Sequence, residues 1–200
     1  YDKSGNNNHG TLINGPTWTQ GKVGGALSFD GVDDYVDMGN SNLFHFNANK
    51  PFSITIWFLK LGAGGTRPRL ISKRSSGIFD GIWYEISLND PDGNYILGEV
   101  SYDYYNIRAN VGQIPIDLNQ WYFVAFVRDT TAGRIYLYVN GELRDNKIDY
   151  TVNYPVDNYN YPLRTTYTIS SVLNGFKDEI RVYNRALSAS EIQAIYNATR

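Results

Sequence analysis

Cysteine is absent from the 200 residues, and histidine appears only at positions 9 and 45. Without cysteine there is no disulfide framework and no thiol nucleophile, though an exposed extracellular module remains compatible with that composition. Two histidines leave few options for a Ser-His-Asp site, and neither His9 nor His45 stands beside a nucleophile motif. No apolar run reaches the roughly 20 residues needed to span a bilayer, and no signal-peptide pattern is visible. An excess of charge is also missing. With 18 basic and 20 acidic residues the net charge is −2, which is no footprint for nucleic acid. The opening on Tyr1 and Asp2 reads as a segment cut from a larger protein.

Tyrosine and glycine are abundant, 17 and 19 respectively, a composition that suits strands and binding loops better than helices. The length suits one domain over residues 1–200. Residues 26–30 and 35–38 are expected to pair as a hairpin around Gly31. In residues 52–59 the alternation puts Phe52, Ile54, Ile56 and Phe58 inward. Further strands are expected at 70–73, 83–88, 95–102 and 106–111, with a strong turn at Asp90, Pro91, Asp92 and Gly93. Residues 121–128 are apolar on both parities and are expected to be covered on both faces. Ile135, Leu137 and Val139 face inward, Tyr136 and Tyr138 outward, and Asn140-Gly141 follows as a hairpin turn. Residues 145–163 read as a long polar loop, and 167–170 as one more strand.

The last strand carries Phe176, Ile180 and Val182 on one parity, and Lys177, Glu179, Arg181 and Tyr183 on the other. Asp178 shares the apolar parity, so a carboxylate is expected on the inward face, where it needs a cation, a metal or several donors. Ser188 and Glu191 then form a capping box, with Leu187 and Ile192 as the hydrophobic staple of a short helix. Many short strands with helix only at the end imply an all-β, two-sheet antiparallel sandwich.

The run Gly175-Phe-Lys-Asp178-Glu179-Ile-Arg-Val-Tyr183-Asn-Arg-Ala-Leu187-Ser, followed by Glu191-Ile192 and Ile195-Tyr196, resembles a known C-terminal signature. It is that of the laminin-G-like and pentraxin-like jelly rolls of the concanavalin A-like superfamily. A second match is Asp2-Lys-Ser-Gly5 through His9-Gly10, then Gly24-Gly-Ala-Leu-Ser-Phe29-Asp30-Gly31 through Asp34-Tyr35-Val36. The resemblance spans essentially the whole chain and implies a jelly roll. In similar jelly rolls a structural calcium joins the N-terminal segment to the last strand. Asp2, Asn7 by its carbonyl, Asp30 and Asp178 are the candidates it implies, all of the hard-oxygen type that calcium takes. The alternatives are a plain surface loop at the N-terminus, and an Asp178 that bonds backbone amides or pairs with Arg181 or Lys22. The pentraxins' double-calcium ligand loop is missing between Ser170 and Gly175.

Glycosidases need two carboxylates at a set separation. The Glu-x-Asp-x-Glu run of the glucanase relatives is absent, the lyase signatures are absent, and the adjacent Asp178 and Glu179 point to opposite faces. Carboxylates brought together by folding are beyond what spacing reveals. Sugar rings stack their C–H faces on aromatic side chains, and Trp83, Tyr84, Tyr104, Tyr105, Tyr154, Tyr159 and Tyr161 lie in or beside expected loops, interleaved with Asn and Asp. The alternative for strand tyrosines is that they fill core edges. The expected function is a non-catalytic carbohydrate-binding module of an extracellular, cell-surface or virion-surface multidomain protein. Its partners are a glycan or polysaccharide and the other domains of the parent chain, with no nucleic acid and no membrane insertion. An adhesion domain that contacts a cell-surface protein is the alternative, and a glycoside hydrolase or polysaccharide lyase a third. Exposed aromatics along a groove favour the first, and clustered carboxylates there reopen catalysis.

Overall fold

A computed structural model describes residues 1–46, 49–74, 82–89, 94–103, 107–153, 161–166 and 171–200. Their strands are β1 (Thr11–Ile13), β2 (Thr17–Gln20), β3 (Gly25–Asp30), β4 (Tyr35–Asp37), β5 (Phe52–Lys60), β6 (Arg69–Lys73) and β7 (Trp83–Asn89). They continue with β8 (Tyr95–Asp103), β9 (Ile107–Pro115), β10 (Trp121–Asp129), β11 (Arg134–Val139), β12 (Glu142–Ile148) and β13 (Asn174–Tyr183), and the chain closes on helix α1 (Ala189–Thr199). One sheet runs β12-β11-β10-β5-β13-β3-β2 and the other β6-β7-β8-β9, both antiparallel. Single-residue bridges from Arg164 to Asp37 and Ser72 connect the small β1–β4 pair to β6. The result is an all-β jelly-roll sandwich with one C-terminal helix, and no helix among the described residues is long and apolar enough to cross a membrane.

The main core lies between the sheets. Phe52, Ile54, Ile56 and Phe58 of β5, with Val124 and Phe126 of β10 and Ile135 and Leu137 of β11, share it with Tyr84, Ile86, Ile96, Val100 and Val111 of the other sheet. Each such side chain, fully buried, contributes roughly 1.5–3 kcal/mol. The second parity of β10 is equally apolar because it meets α1: Trp57, Phe123, Ala125, Val127 and Tyr138 pack with Leu187 and Ile192. Trp57 Nε1 donates to Thr199 Oγ1 at 2.9 Å, fixing the end of the helix. At its start Ser188 Oγ accepts from the Glu191 N–H, and Glu191 Oε2 accepts from the Ser188 N–H at 2.9 Å. Asn140 (φ 53°) and Gly141 (φ 83°) form the type I′ turn expected between β11 and β12.

Three expectations need correction. Residues 26–30 and 35–38 do not pair: β3 lies between β2 and β13, and β4 pairs with β1. Asp34 is buried and accepts the Asp30 N–H at 3.0 Å, so residues 31–34 carry the chain from one sheet to the other. The long loop starts later than expected. β12 is mostly exposed, so no apolar alternation marks it, and its pairing with β11 makes it a strand.

The last strand changes phase. A bulge between Asp178 and Arg181, with Glu179 at φ 49°, inserts an extra residue opposite β5. Ile180 and Val182 therefore pack on the main core, but before the bulge Lys177, opposite Phe58, points there instead. Lys177 Nζ is fully buried, donates to the carbonyls of Arg69 at 2.9 Å and Thr165 at 2.6 Å, and stands 4.5 Å from the Phe29 ring centroid. Burial pulls its ammonium well below the ordinary lysine range. Asp178, opposite Trp57, faces the helix side, which overturns its expected inward parity. The strand expected at 167–170 lies outside the described residues.

Candidate functional site

The pleat of β7 and β8 decides what the four-stranded sheet presents away from the core. Tyr84, Ile86 and Leu88 point inward, so Trp83, Glu85 and Ser87 point outward; on β8, Ile96 and Val100 point inward, Leu97, Glu99 and Ser101 outward. The register sets Trp83 opposite Ser101, Glu85 opposite Glu99, and Ser87 opposite Leu97. Directly opposed residues on one face have Cβ atoms roughly 4.5–5.5 Å apart, and two carboxylates there repel.

Four arginines offset that repulsion. An Arg67 Nη lies 2.7 Å from Glu99 Oε2 and 3.2 Å from Glu85 Oε1, bridging the pair. Arg69 Nε donates to Glu85 Oε2 at 3.2 Å, and an Arg74 Nη stands 3.7 Å from the same oxygen. Arg108 ion-pairs with Glu99 through Nε and donates from an Nη at 3.2 Å. Both glutamates are fully buried beneath this roof, whereas the Arg67 and Arg108 side chains are 24% and 40% exposed. Burial, then the facing Glu85, pushes the Glu99 carboxyl up, against the pull of Arg108 and Arg67. Burial also lowers the Arg69 guanidinium, against Glu85. Glu85 Oε1, Glu99 Oε1, Arg67 Nε and Ser87 Oγ are buried without an aligned hydrogen-bond partner, so several of the ion pairs are close in distance but poor in angle. The Arg74 guanidinium lies 4.2 Å over the Trp83 ring, a cation–π contact at the end of the face.

Of the aromatic candidates, Trp83 stands on this face, partly exposed. Tyr84 does not. It is 1% exposed, its hydroxyl donates to the Phe44 carbonyl at 3.0 Å, and its ring packs on Phe46 and Phe52. A strand's alternation cannot expose both Trp83 and Tyr84, so Tyr84 is a core residue. Tyr161 is partly buried, and its carbonyl accepts from Lys73 Nζ. Tyr104, Tyr105, Tyr154 and Tyr159 lie outside the described residues. Sequence reasoning missed Glu85, Glu99 and their arginines. The turn expected at residues 90–93, which lies outside the described residues, joins the two strands, but its centre between Pro91 and Asp92 leaves their register open by one residue, so the pairing of 85 with 99 could not be read from it.

The four calcium candidates do not converge. The Asp2 carboxylate accepts from the N–H and hydroxyl of Ser4, both at 2.8 Å, and from the Asn8 N–H at 2.9 Å, which holds it at about 2. Asn7 is an exposed turn residue at φ 58°. Asp30 caps its own turn, accepting from the Val32 N–H at 2.8 Å, and sits opposite Asn174. Asp178 is four residues further along β13, about 13 Å at the rise of a strand. Its Oδ2 accepts the Val23 N–H at 2.8 Å, while burial raises its carboxyl against the amides of Val23, Glu179 and Lys22. A Cβ on Gly21 would stand 2.5 Å from that oxygen, so only glycine admits the carboxylate there. Asp178 thus holds the 21–24 turn through amides, and the residues do not fit a single cation shared by the two ends. Among the described residues, Asp30, Asp33 and Asp34 are the carboxylates close enough to share an ion, within 4.8 Å of one another.

No curated protein is found similar to this chain. Among solved structures, the binding domain of Paraclostridial Mosquitocidal Protein 1 superposes with TM-score 0.78 at 19% identity, over 98% of this chain and 49% of that one. Domain 4 of AbnA, a GH43 extracellular arabinanase from Geobacillus stearothermophilus in complex with arabinotriose, gives 0.71 at 17% identity, over 94% and 87%. The binding domain of botulinum neurotoxin DC in complex with SialylT gives 0.69 at 15% identity, over 96% and 47%. The chain spans about half the length of the toxin binding domains it matches, and at these identities the likeness is one of fold. Residues 30–193 match the family Laminin_G_3, described as Concanavalin A-like lectin/glucanases superfamily, and the chain belongs to that family.

Proposed function

We propose that this domain is a non-catalytic carbohydrate-binding module, acting outside the cell, that holds its glycan on the outer face of β6–β9. The observation that carries the reading is the face itself: Trp83 with Arg74 over its ring at one end, and the partly exposed Arg67 and Arg108 held by fully buried glutamates. Trp83 offers a ring to the C–H face of a sugar, and Arg67 and Arg108 offer fixed donors to its hydroxyls. The glycan complexes of the arabinanase domain and the neurotoxin binding domain support this use of the fold. A structural calcium forms no part of the reading, since the donors implied for it are spread apart.

The test is titration calorimetry against a panel of soluble oligosaccharides, with wild type and Trp83→Ala. Aromatic stacking contributes roughly 0.5–1.5 kcal/mol beyond area burial, so Trp83→Ala should weaken a bound sugar up to about tenfold. Unchanged binding moves the glycan off this face.

The facing glutamates favour hydrolysis as the second reading, because folding has assembled the carboxylate pair that sequence spacing could not show. Their full burial under guanidiniums places binding ahead, since a general acid must reach the glycosidic oxygen. Release of reducing ends from a polysaccharide, abolished by Glu99→Gln, would establish the hydrolase instead.

A further inference from the structure

The four-stranded sheet continues past β6. Residues 163–165 lie between β6 and β4: the Arg164 N–H donates to the Ser72 carbonyl at 2.9 Å, and the Ser72 N–H to the Arg164 carbonyl at 2.7 Å. On the other side the Met38 N–H donates to the Leu163 carbonyl at 2.8 Å, and the Thr165 N–H to the Val36 carbonyl at 3.1 Å. Val36 and Leu163 are buried and Met38 packs on the main core, so the pleat turns Tyr35, Asp37 and Arg164 outward. Arg164 stands opposite both Asp37 and Ser72, and Ser72 opposite Glu85, so this outward side is the face that carries Trp83.

The three residues make a second set of the same kind as Trp83 and its arginine. The Arg164 guanidinium stands 5.5 Å from the Tyr35 ring centroid, and its Nε donates to Asp37 Oδ2 at 2.8 Å. Asp37 Oδ1 accepts the Gly39 N–H at 2.8 Å, so the carboxylate is held through both oxygens. Tyr35 is partly exposed, and the Asp37 and Arg164 side chains are 22% and 37% exposed. A sugar hydroxyl both donates and accepts. Asp37 supplies acceptor positions, Arg164 donors, and Tyr35 a ring, all fixed before a ligand arrives.

The register also sets how far apart the two aromatics lie. From the row Asp37, Arg164, Ser72 and Glu85, Tyr35 is two residues back along β4 and Trp83 two residues back along β7. Three antiparallel steps separate those strands, so the rings fall on opposite sides of the row. Three strand spacings and four residues of rise put them roughly 20 Å apart, on a diagonal of the face.

We infer that the ligand is a linear oligosaccharide chain laid along this diagonal, with Tyr35, Asp37 and Arg164 forming a second sugar subsite. This rests on the carbohydrate-binding reading above and specifies the length and course of its ligand. A chain seated at Trp83 meets the second subsite intramolecularly, at a high effective concentration, whereas one too short to span gains nothing there.

The experiment is titration calorimetry with linear arabino-, xylo- and cello-oligosaccharides of two to eight units. It uses wild type, Tyr35→Ala, Tyr35→Phe and Trp83→Ala, with circular dichroism and a thermal melt to confirm folding. The wild-type length series tests the span with no variant at all. In the series that binds, affinity should rise about tenfold once the chain is long enough to reach both rings. Tyr35→Ala should abolish that rise and leave the shortest sugars unchanged, Tyr35→Phe should keep it, and Trp83→Ala should weaken every length. Affinity that stops rising at the trisaccharide, or a Tyr35→Ala variant like wild type at every length, overturns the inference and leaves the carbohydrate reading standing. Loss of the shortest sugars in Tyr35→Ala, with Trp83→Ala silent, overturns the span and moves the glycan to β4. If no sugar of the three series binds, the inference and the reading both fall.

Discussion

Buried and exposed members of one ion network answer differently to removal. Glu99→Ala strands Arg67 and Arg108 over an emptied site, and loss of one partner of a buried pair costs roughly 3–5 kcal/mol. Urea unfolding should show a loss near the lower end of that range, because Arg108 is half in solvent. Arg108→Ala should cost less than Glu99→Ala, because Arg67 still pairs with the buried Glu99. A second residue-level outcome concerns Gly141. Its positive φ disfavours a β-branched side chain, and a Cβ there would lie 2.8 Å from Gln193 Oε1 and 3.0 Å from Tyr196 Cδ1. Gly141→Val should lose roughly 1–3 kcal/mol in a thermal melt. The Asn140-Gly141 turn was legible because its chemistry is local. The Glu85–Glu99 pair was not read, because a cross-strand neighbour is visible only after the turn between the strands has fixed the register.

Elements show the same division. The helix cap could be read from four residues, and its energetics follow: Ser188→Ala removes the acceptor for the Glu191 N–H and should cost about 1 kcal/mol. The cap also has a pH signature. Arg185 first, then the N–H and hydroxyl of Ser188, lower Glu191 from 4.5 to about 2. A depressed carboxyl stabilises the fold above its unfolded value and loses that contribution as pH falls through its folded value. Glu191→Gln should therefore flatten the fall in melting temperature between about pH 4.5 and pH 2 and leave its slope near neutrality unchanged. By contrast, β13 misled, because alternation cannot reveal an inserted residue. Once Glu179 adopts positive φ, the parity carried back from Ile180 and Val182 is displaced by one for Asp178 and the residues before it. β12 escaped notice for a different reason: an exposed edge strand buries too little to leave an apolar imprint on its sequence.

At the scale of the molecule, both sheets, the double-sided burial of β10 and the closing helix were legible, since burial imposes periodicity. What joins the ends was not. Asp178 ties the 21–24 turn to β13 through backbone amides, so Asp178→Ala should lower the melting temperature equally with chelator and with added calcium. A calcium-dependent difference would restore a cation to that junction. Lys177, on the same strand, has a further consequence for how the sandwich can be watched. Its amine is sealed between the sheets, where acylating reagents do not reach until the sheets part. Other lysines, such as the exposed Lys3, should label at once. The slow acylation of Lys177, followed by peptide mass spectrometry, becomes a clock for the parting of the two sheets, counting openings too rare to register in an equilibrium melt.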